Sequence, residues 1–290
     1  MNIRIIPRLD IKGPNLVKGI HFEGLRVLGK PERFARHYYE TGADELLYMD
    51  AVASLYGRNS LLDIVKRTAD EVFIPLTVGG GLRSVEDIRT VLRAGADKVS
   101  VNTAAIARPE LIREASRAFG SSTIVVSIEA IRRADGTWEA YTDYGRQSSG
   151  VNALDWAQRA VELGAGELMV TSIDREGTGK GFDVELIRRI AASVPVPVIA
   201  GGGAGKLADI QQVIEEGLAD AVCIASILHY KYARICQYSP GEFAEEGNIE
   251  SLRRGAKFSK VEDVAIPEVK DFLARQGIGC RPGIRSHEQS

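Results

Sequence analysis

Pro75-Leu76-Thr77-Val78-Gly79-Gly80-Gly81, residues 75–81, is a short apolar run that ends on three glycines. The same arrangement returns at Val196–Ala200, which runs into Gly201-Gly202-Gly203. Gly42-Ala43-Asp44-Glu45-Leu46 returns as Gly164-Ala165-Gly166-Glu167-Leu168 at the same offset, and Asn102-Thr103 aligns with Ala225-Ser226 one residue away from it. Glycine-rich turns recur in any α/β protein, but three matches in one order at nearly one spacing imply a duplicated unit.

Working outward from the repeat, eight runs are expected as strands: Ile3–Leu9, Glu45–Met49, Phe73–Val78, Lys98–Val101, Thr123–Ile128, Glu167–Thr171, Val196–Ala200 and Ala221–Ile224. Between them lie stretches of helical periodicity, among them Pro31–Thr41, Leu61–Glu71, Val85–Ala94, Pro109–Phe119, Ala153–Leu163, Val184–Ala192 and Leu207–Glu216. Ser84 ahead of Val85-Glu86-Asp87 is a good cap, and Pro109 suits a first turn. Strands alternating with helices imply a parallel sheet, and eight strands close a barrel. The expected fold is α/β, a (β/α)8 TIM barrel built from two half-barrel repeats.

One barrel domain is expected over residues 1–280. The pattern breaks after His229-Tyr230 and resumes at a last outer helix, Ile266–Gln276, which defines an insertion at about 231–265 after strand eight. That insertion is expected to lie over the barrel mouth, and residues 281–290 are expected to form a flexible tail. With 290 residues, 44% hydrophobic composition and a net charge of -2, the chain can bury one large core and shows no general attraction to nucleic acid or anionic membrane. Three scattered cysteines and four unclustered histidines argue for a reducing compartment and against a metal site. A spanning apolar stretch and a signal-peptide pattern are both missing, so the expectation is cytoplasmic, with no cofactor.

Each glycine run sits between a strand and a helix, where backbone N–H groups and a helix N-terminus favour an anion. Gly80 and Gly81 with Asn102-Thr103 form one expected phosphate cradle. Gly202 and Gly203 with Ala225-Ser226 form the other. Two cradles across one mouth imply a substrate with a phosphate at each end. Asp10 ends the first strand and Glu129 the fifth, diametrically opposite in a closed barrel. A carboxylate at a strand end often only caps a loop. An opposed pair between two phosphate cradles is instead the arrangement of a general acid and a general base.

These residues resemble the cyclase subunit of imidazole glycerol phosphate synthase. The likeness runs through Arg4-Ile5-Ile6-Pro7, Leu9-Asp10, Val17-Lys18-Gly19, Pro75 to Gly81, Gly95 to Ser100, Asn102 to Ala105 and Thr171-Ser172-Ile173-Asp174-Arg175. It covers residues 3 to about 230 and resumes at the last helix. The resemblance implies a lyase that takes ammonia from a separate glutaminase subunit docked at the barrel base, as a heterodimer. In the family a bisphosphate ribotide is cleaved and cyclised to imidazole glycerol phosphate and aminoimidazole carboxamide ribotide, a step of histidine biosynthesis. Asp10 falls on a catalytic aspartate. Lys18 lies in a flexible first loop that closes over substrate. Thr171, Glu176 and Gly177 fall on substrate-binding positions, Asp97 near the docking surface, and Arg4, Glu45, Lys98 and Glu167 on a charged ammonia gate. Alternating charges in a ring also seal barrel floors as plain structure.

The departures cluster at the active face. Glu129 stands for the second catalytic aspartate, Arg8 for a cysteine, Glu176 for an aspartate and Gly201 for a serine. Strand alternation sends Arg8 inward beside Asp10. These changes keep an alternative open: a related branch that supplies ammonia for amidation of a nucleotide-linked sugar in surface-polysaccharide (lipopolysaccharide) biosynthesis.

Overall fold

The computed structural model describes residues 2–53, 61–236, 243 and 261–283. Among these residues, twelve strands form one sheet. Eight of them are parallel and close on themselves: β1 (Arg4–Lys12), β4 (Leu46–Asp50), β5 (Leu76–Gly79), β6 (Lys98–Val101), β7 (Ile124–Arg132), β10 (Glu167–Ser172), β11 (Val198–Gly201) and β12 (Ala221–Ile224), with β7 pairing β10 and β12 pairing β1. Helices separate the barrel strands, as the periodicity requires.

Alternation along each strand sorts the side chains into two environments. Ile5, Leu9 and Ile11 of β1 join the large core between strands and helices. Ile6 joins a second cluster inside the barrel with Leu47, Val125, Met169, Ile199 and Cys223. Burial pushes the Cys223 thiol up to about 12, so it packs as an apolar group. This apolar belt lies between the strand starts, which form the floor, and the strand ends, which form the mouth.

Three floor turns are bolted the same way. The carboxylates of Asp44, Asp97 and Asp220 accept the backbone N–H of Ile5, Leu76 and Val198, each the opening of a neighbouring barrel strand.

The remaining strands were not foreseen. β2 (Asn15–Ile20) and β3 (Glu23–Gly29) form a hairpin continuing β1, and β8 (Trp138–Thr142) and β9 (Gln147–Asn152) form one continuing β7. They occupy equivalent places in the two halves, after the first and fifth barrel strands. His21 and Phe22 form the first tip and both have positive φ, as a type I′ turn demands. Asp143 and Tyr144 also take positive φ at the second. Neither tip carries the Asn-Gly or Asp-Gly signature that makes such turns readable.

Two boundaries are corrected. Phe73 does not open the third barrel strand. It is 74% exposed and precedes Pro75, and the strand starts at Leu76. The helix after β12 does not break at Tyr230 but runs over Ser226–Ile235, held by buried Ile227, Leu228 and His229. Most of the expected insertion, its expected position over the mouth and the tail beyond 283 lie outside the described residues. Among the described residues, no helix is long and apolar enough to cross a membrane.

Candidate active site

Asp10 and Glu129 stand where β1 and β7 begin to pair with their hairpins, not at the strand ends the sequence suggested, and lie four strands apart in either direction round the barrel. Both are almost wholly buried, yet their surroundings differ. Burial alone pushes the Asp10 carboxyl up. The Arg8 guanidinium, whose Nε donates to Asp10 Oδ1 at 2.8 Å, and the Lys18 ammonium, 3.9 Å from Oδ2, outweigh burial and hold it below the usual carboxylate range. Glu129 has no ion-pair partner among the described residues. Burial pushes it up to about 7, with Arg8 opposing, Asp10 adding and Asn102 Nδ2 donating to Oε2 at 3.1 Å. Two carboxyls whose environments separate their proton affinities are what acid–base chemistry requires.

Lys18 comes from β2 and also pairs with Glu176, both buried. The hairpin tip follows it inward: His21 N–H donates to the Glu176 carbonyl at 2.9 Å, and the Phe22 ring lies 4.4 Å from that of Tyr144 at the opposite tip. Gly177 sits directly under Gly19, where a Cβ would meet the Gly19 carbonyl oxygen at 2.4 Å. The first hairpin is thus folded across the mouth.

The first expected cradle borders a cavity of about 330 Å³ that Gly80, Gly81, Asn102, Thr103, Glu129 and Tyr144 help to line. Arg83 and Arg108 also line it, and the sequence reading had not singled them out. Gly80 has φ 98°, and an added Cβ would lie 2.7 Å from the Asp50 carbonyl oxygen. Gly80→Ala is therefore expected to push the loop off its course at a cost on the order of 1–3 kcal/mol. With a phosphate in this cradle, the KM for substrate rises about tenfold while kcat changes less. Steady-state kinetics check this, and an unchanged KM contradicts a phosphate role for the loop.

The second cradle is related but tighter. Gly202 has φ 83°, and its added Cβ would lie 2.8 Å from the Ser172 carbonyl and 3.4 Å from Glu176 Oε2. Ala225 is the cap residue and Ser226 the first residue of the helix Ser226–Ile235, while the Gly203 carbonyl accepts the Gly181 N–H at 2.8 Å. Thr171 Oγ1, Ser127 Oγ and Asn102 Oδ1 are buried without hydrogen-bond partners among the described residues. Such open valences in a mouth suit a polar ligand.

His229, which the sequence did not mark, ties the second expected cradle to β1. Burial holds its imidazole down at about 3, so it is neutral. Tyr38 lies 2.6 Å from Nδ1 and the Arg8 carbonyl 2.8 Å from Nε2, which fits Tyr38 donating to Nδ1 and Nε2 donating to Arg8.

At the floor, Arg4, Glu45, Lys98 and Glu167 meet as a closed ring. Arg4 Nη1 lies 2.5 Å from Glu45 and 3.0 Å from Glu167, and Lys98 Nζ 3.2 Å from Glu45 and 3.1 Å from Glu167. Above this ring is the apolar belt, and above the belt the acid pair.

Comparison with known proteins gives a consistent result. The model of a family described as histidine biosynthesis protein matches residues 4–234. A protein named imidazole glycerol phosphate synthase subunit HisF from Legionella pneumophila is 59% identical over 206 residues, 71% of this chain and 97% of that protein. Proteins of the same name from Streptomyces griseus and Alkaliphilus metalliredigens are 50% identical over 246 residues and 47% identical over 232 residues. These cover 85% and 80% of this chain and 97% and 92% of theirs.

Proposed function

The chain belongs to the histidine biosynthesis protein family, with the cyclase subunits of imidazole glycerol phosphate synthase as its relatives, and on that premise we propose that it performs their reaction, with Asp10 and Glu129 as its acid–base pair. The observation that carries this is the split pair: one buried carboxyl held charged, the other poised near neutrality, between two glycine cradles. The relatives favour this reading over amidation of a nucleotide-linked sugar.

In this reading the two cradles hold the phosphate ends of a bisphosphate ribotide and stretch it across the mouth. Ammonia adds its lone pair to a substrate carbonyl carbon as the C=O π pair moves onto oxygen, which later departs as water, and the surplus proton on nitrogen passes to the Asp10 carboxylate. Cleavage needs a proton on the departing group, and Glu129 in its neutral form gives it. Lys18, from the hairpin that covers the mouth, balances the charge of Asp10 and excludes water. Neutral ammonia crosses an apolar belt far more easily than ammonium does, which suits delivery from below by a glutaminase subunit docked at the floor.

Two nitrogen sources test this. Alone, the chain is expected to turn over the ribotide with ammonium salts but not with glutamine; with the glutaminase subunit, glutamine suffices. Failure with both sources overturns the proposal. Lys98→Met removes a cation that bridges Glu45 and Glu167 at the gate. It is expected to lower glutamine-dependent turnover roughly tenfold while ammonium-dependent turnover stays within about threefold. Equal losses with both sources would make the ring a structural floor.

A further inference from the structure

A buried cation in the mouth is only partly used. Arg8 is 3% exposed and points inward from β1, where Nε donates to Asp10. Its Nη1 and Nη2 are buried and have no hydrogen-bond partner among the described residues. The guanidinium carbon lies 5.0 Å from the Phe22 ring centroid and 5.8 Å from that of Tyr144, the aromatic residues of the two hairpin tips. These contacts satisfy the cation but leave its hydrogen-bonding edge open, because ring faces do not accept the forked N–H pair as oxygens do.

That edge is in the right place to meet a ligand. Asp10, Glu129 and Glu176 all act electrostatically on Arg8, which sets it among the acidic groups of the mouth. Two more buried hydroxyls have no partner among the described residues: Thr171 Oγ1 on β10 and, one layer below it, Ser127 Oγ on β7, in register with Met169. Thr171 is in register with Glu129. Buried polar groups are normally paired, so a set of open donors at and just below the acid pair marks where a polar ligand atom belongs.

We propose that Arg8 is a substrate-contacting, specificity-determining residue, whose Nη1–H and Nη2–H edge receives an anionic or strongly polarised oxygen in the central part of the substrate, between its two phosphate ends. This rests on the reading of the mouth as a bisphosphate site. The fork is fixed on one side by Asp10 and on another by the adjacent Phe22 and Tyr144 rings, so it meets the ligand already oriented. It favours molecules in which that oxygen carries or develops negative charge over isosteres that lack it. A lysine would keep the charge beside Asp10 but lose the fork.

The test is calorimetric binding to wild type, Arg8→Lys and Arg8→Met, each checked for folding by thermal melting. The ligands are the bisphosphate ribotide and, separately, a nucleotide-linked sugar. The ribotide Kd is expected to rise roughly tenfold or more in Arg8→Lys and further in Arg8→Met. In Arg8→Lys the acidic limb of the pH–rate profile stays in place, since Asp10 keeps a cation beside it. If Arg8→Met fails to fold, Arg8→Lys carries the comparison. A Kd within twofold of wild type in folded Arg8→Lys overturns the proposal. If wild type binds the nucleotide-linked sugar and not the ribotide, the functional reading above falls, and Arg8 is judged on that ligand by the same ratio. Binding of neither ligand overturns both.

Discussion

Asp10→Asn is expected to lower ammonium-dependent turnover by roughly 10²–10⁴-fold, the range a positioned general base contributes. The substitution keeps the size of the side chain and an oxygen that can still accept from Arg8 Nε. It removes the negative charge that faces two buried cations, Arg8 and Lys18. Stability falls as well, because a buried ion pair that loses one partner leaves an uncompensated charge. Activity and stability are separable: thermal melting reports the second, and rates measured well below the melting point report the first. A folded Asp10→Asn protein with more than a tenth of wild-type turnover would remove Asp10 from the chemistry.

The second large effect concerns Glu129. Its carboxyl titrates at about 7, so the neutral form that serves as acid is lost as pH rises through that value. Turnover is expected to decline above pH 7, and Glu129→Gln to remove this limb with a loss again of roughly 10²–10⁴-fold. Stability carries an independent signature. The folded-state value lies above the ordinary carboxylate value, so between the two the folded protein binds more protons than the unfolded chain. The contribution of Glu129 is complete at acidic pH and is lost as pH rises towards 7. Above that window the wild type holds a buried charge that Glu129→Gln lacks. The variant is therefore expected to melt no lower than wild type at pH 8 while being nearly inactive. A variant that is markedly less stable at pH 8 would mean that Glu129 is a structural anion, not a poised acid.

The barrel was legible because its strands are buried on both faces and read as unbroken apolar runs, closed by turns that repeat. The opposed placement of Asp10 and Glu129 and of the two glycine runs was legible through the same duplication. The two hairpins were not, because their tips are built from His21, Phe22, Asp143 and Tyr144 in positive-φ conformations without glycine at those positions. With them went Tyr144, whose place against Phe22 and Arg8 depends on tertiary contact. Strand parity gave Arg8 its inward direction, but its partners follow from which side chains the opposite wall and the hairpins bring to it. His229 was hidden for a similar reason: a lone histidine in a helix says nothing until Tyr38 and the Arg8 carbonyl are seen on its two ring nitrogens.

The most direct measurement of the central claim uses the purified chain with an ammonium salt, offered the bisphosphate ribotide and a nucleotide-linked sugar in separate reactions. Consumption of the ribotide, with release of both products and loss of that activity in Asp10→Asn, is the predicted result. Amidation of the nucleotide-linked sugar without turnover of the ribotide would contradict it.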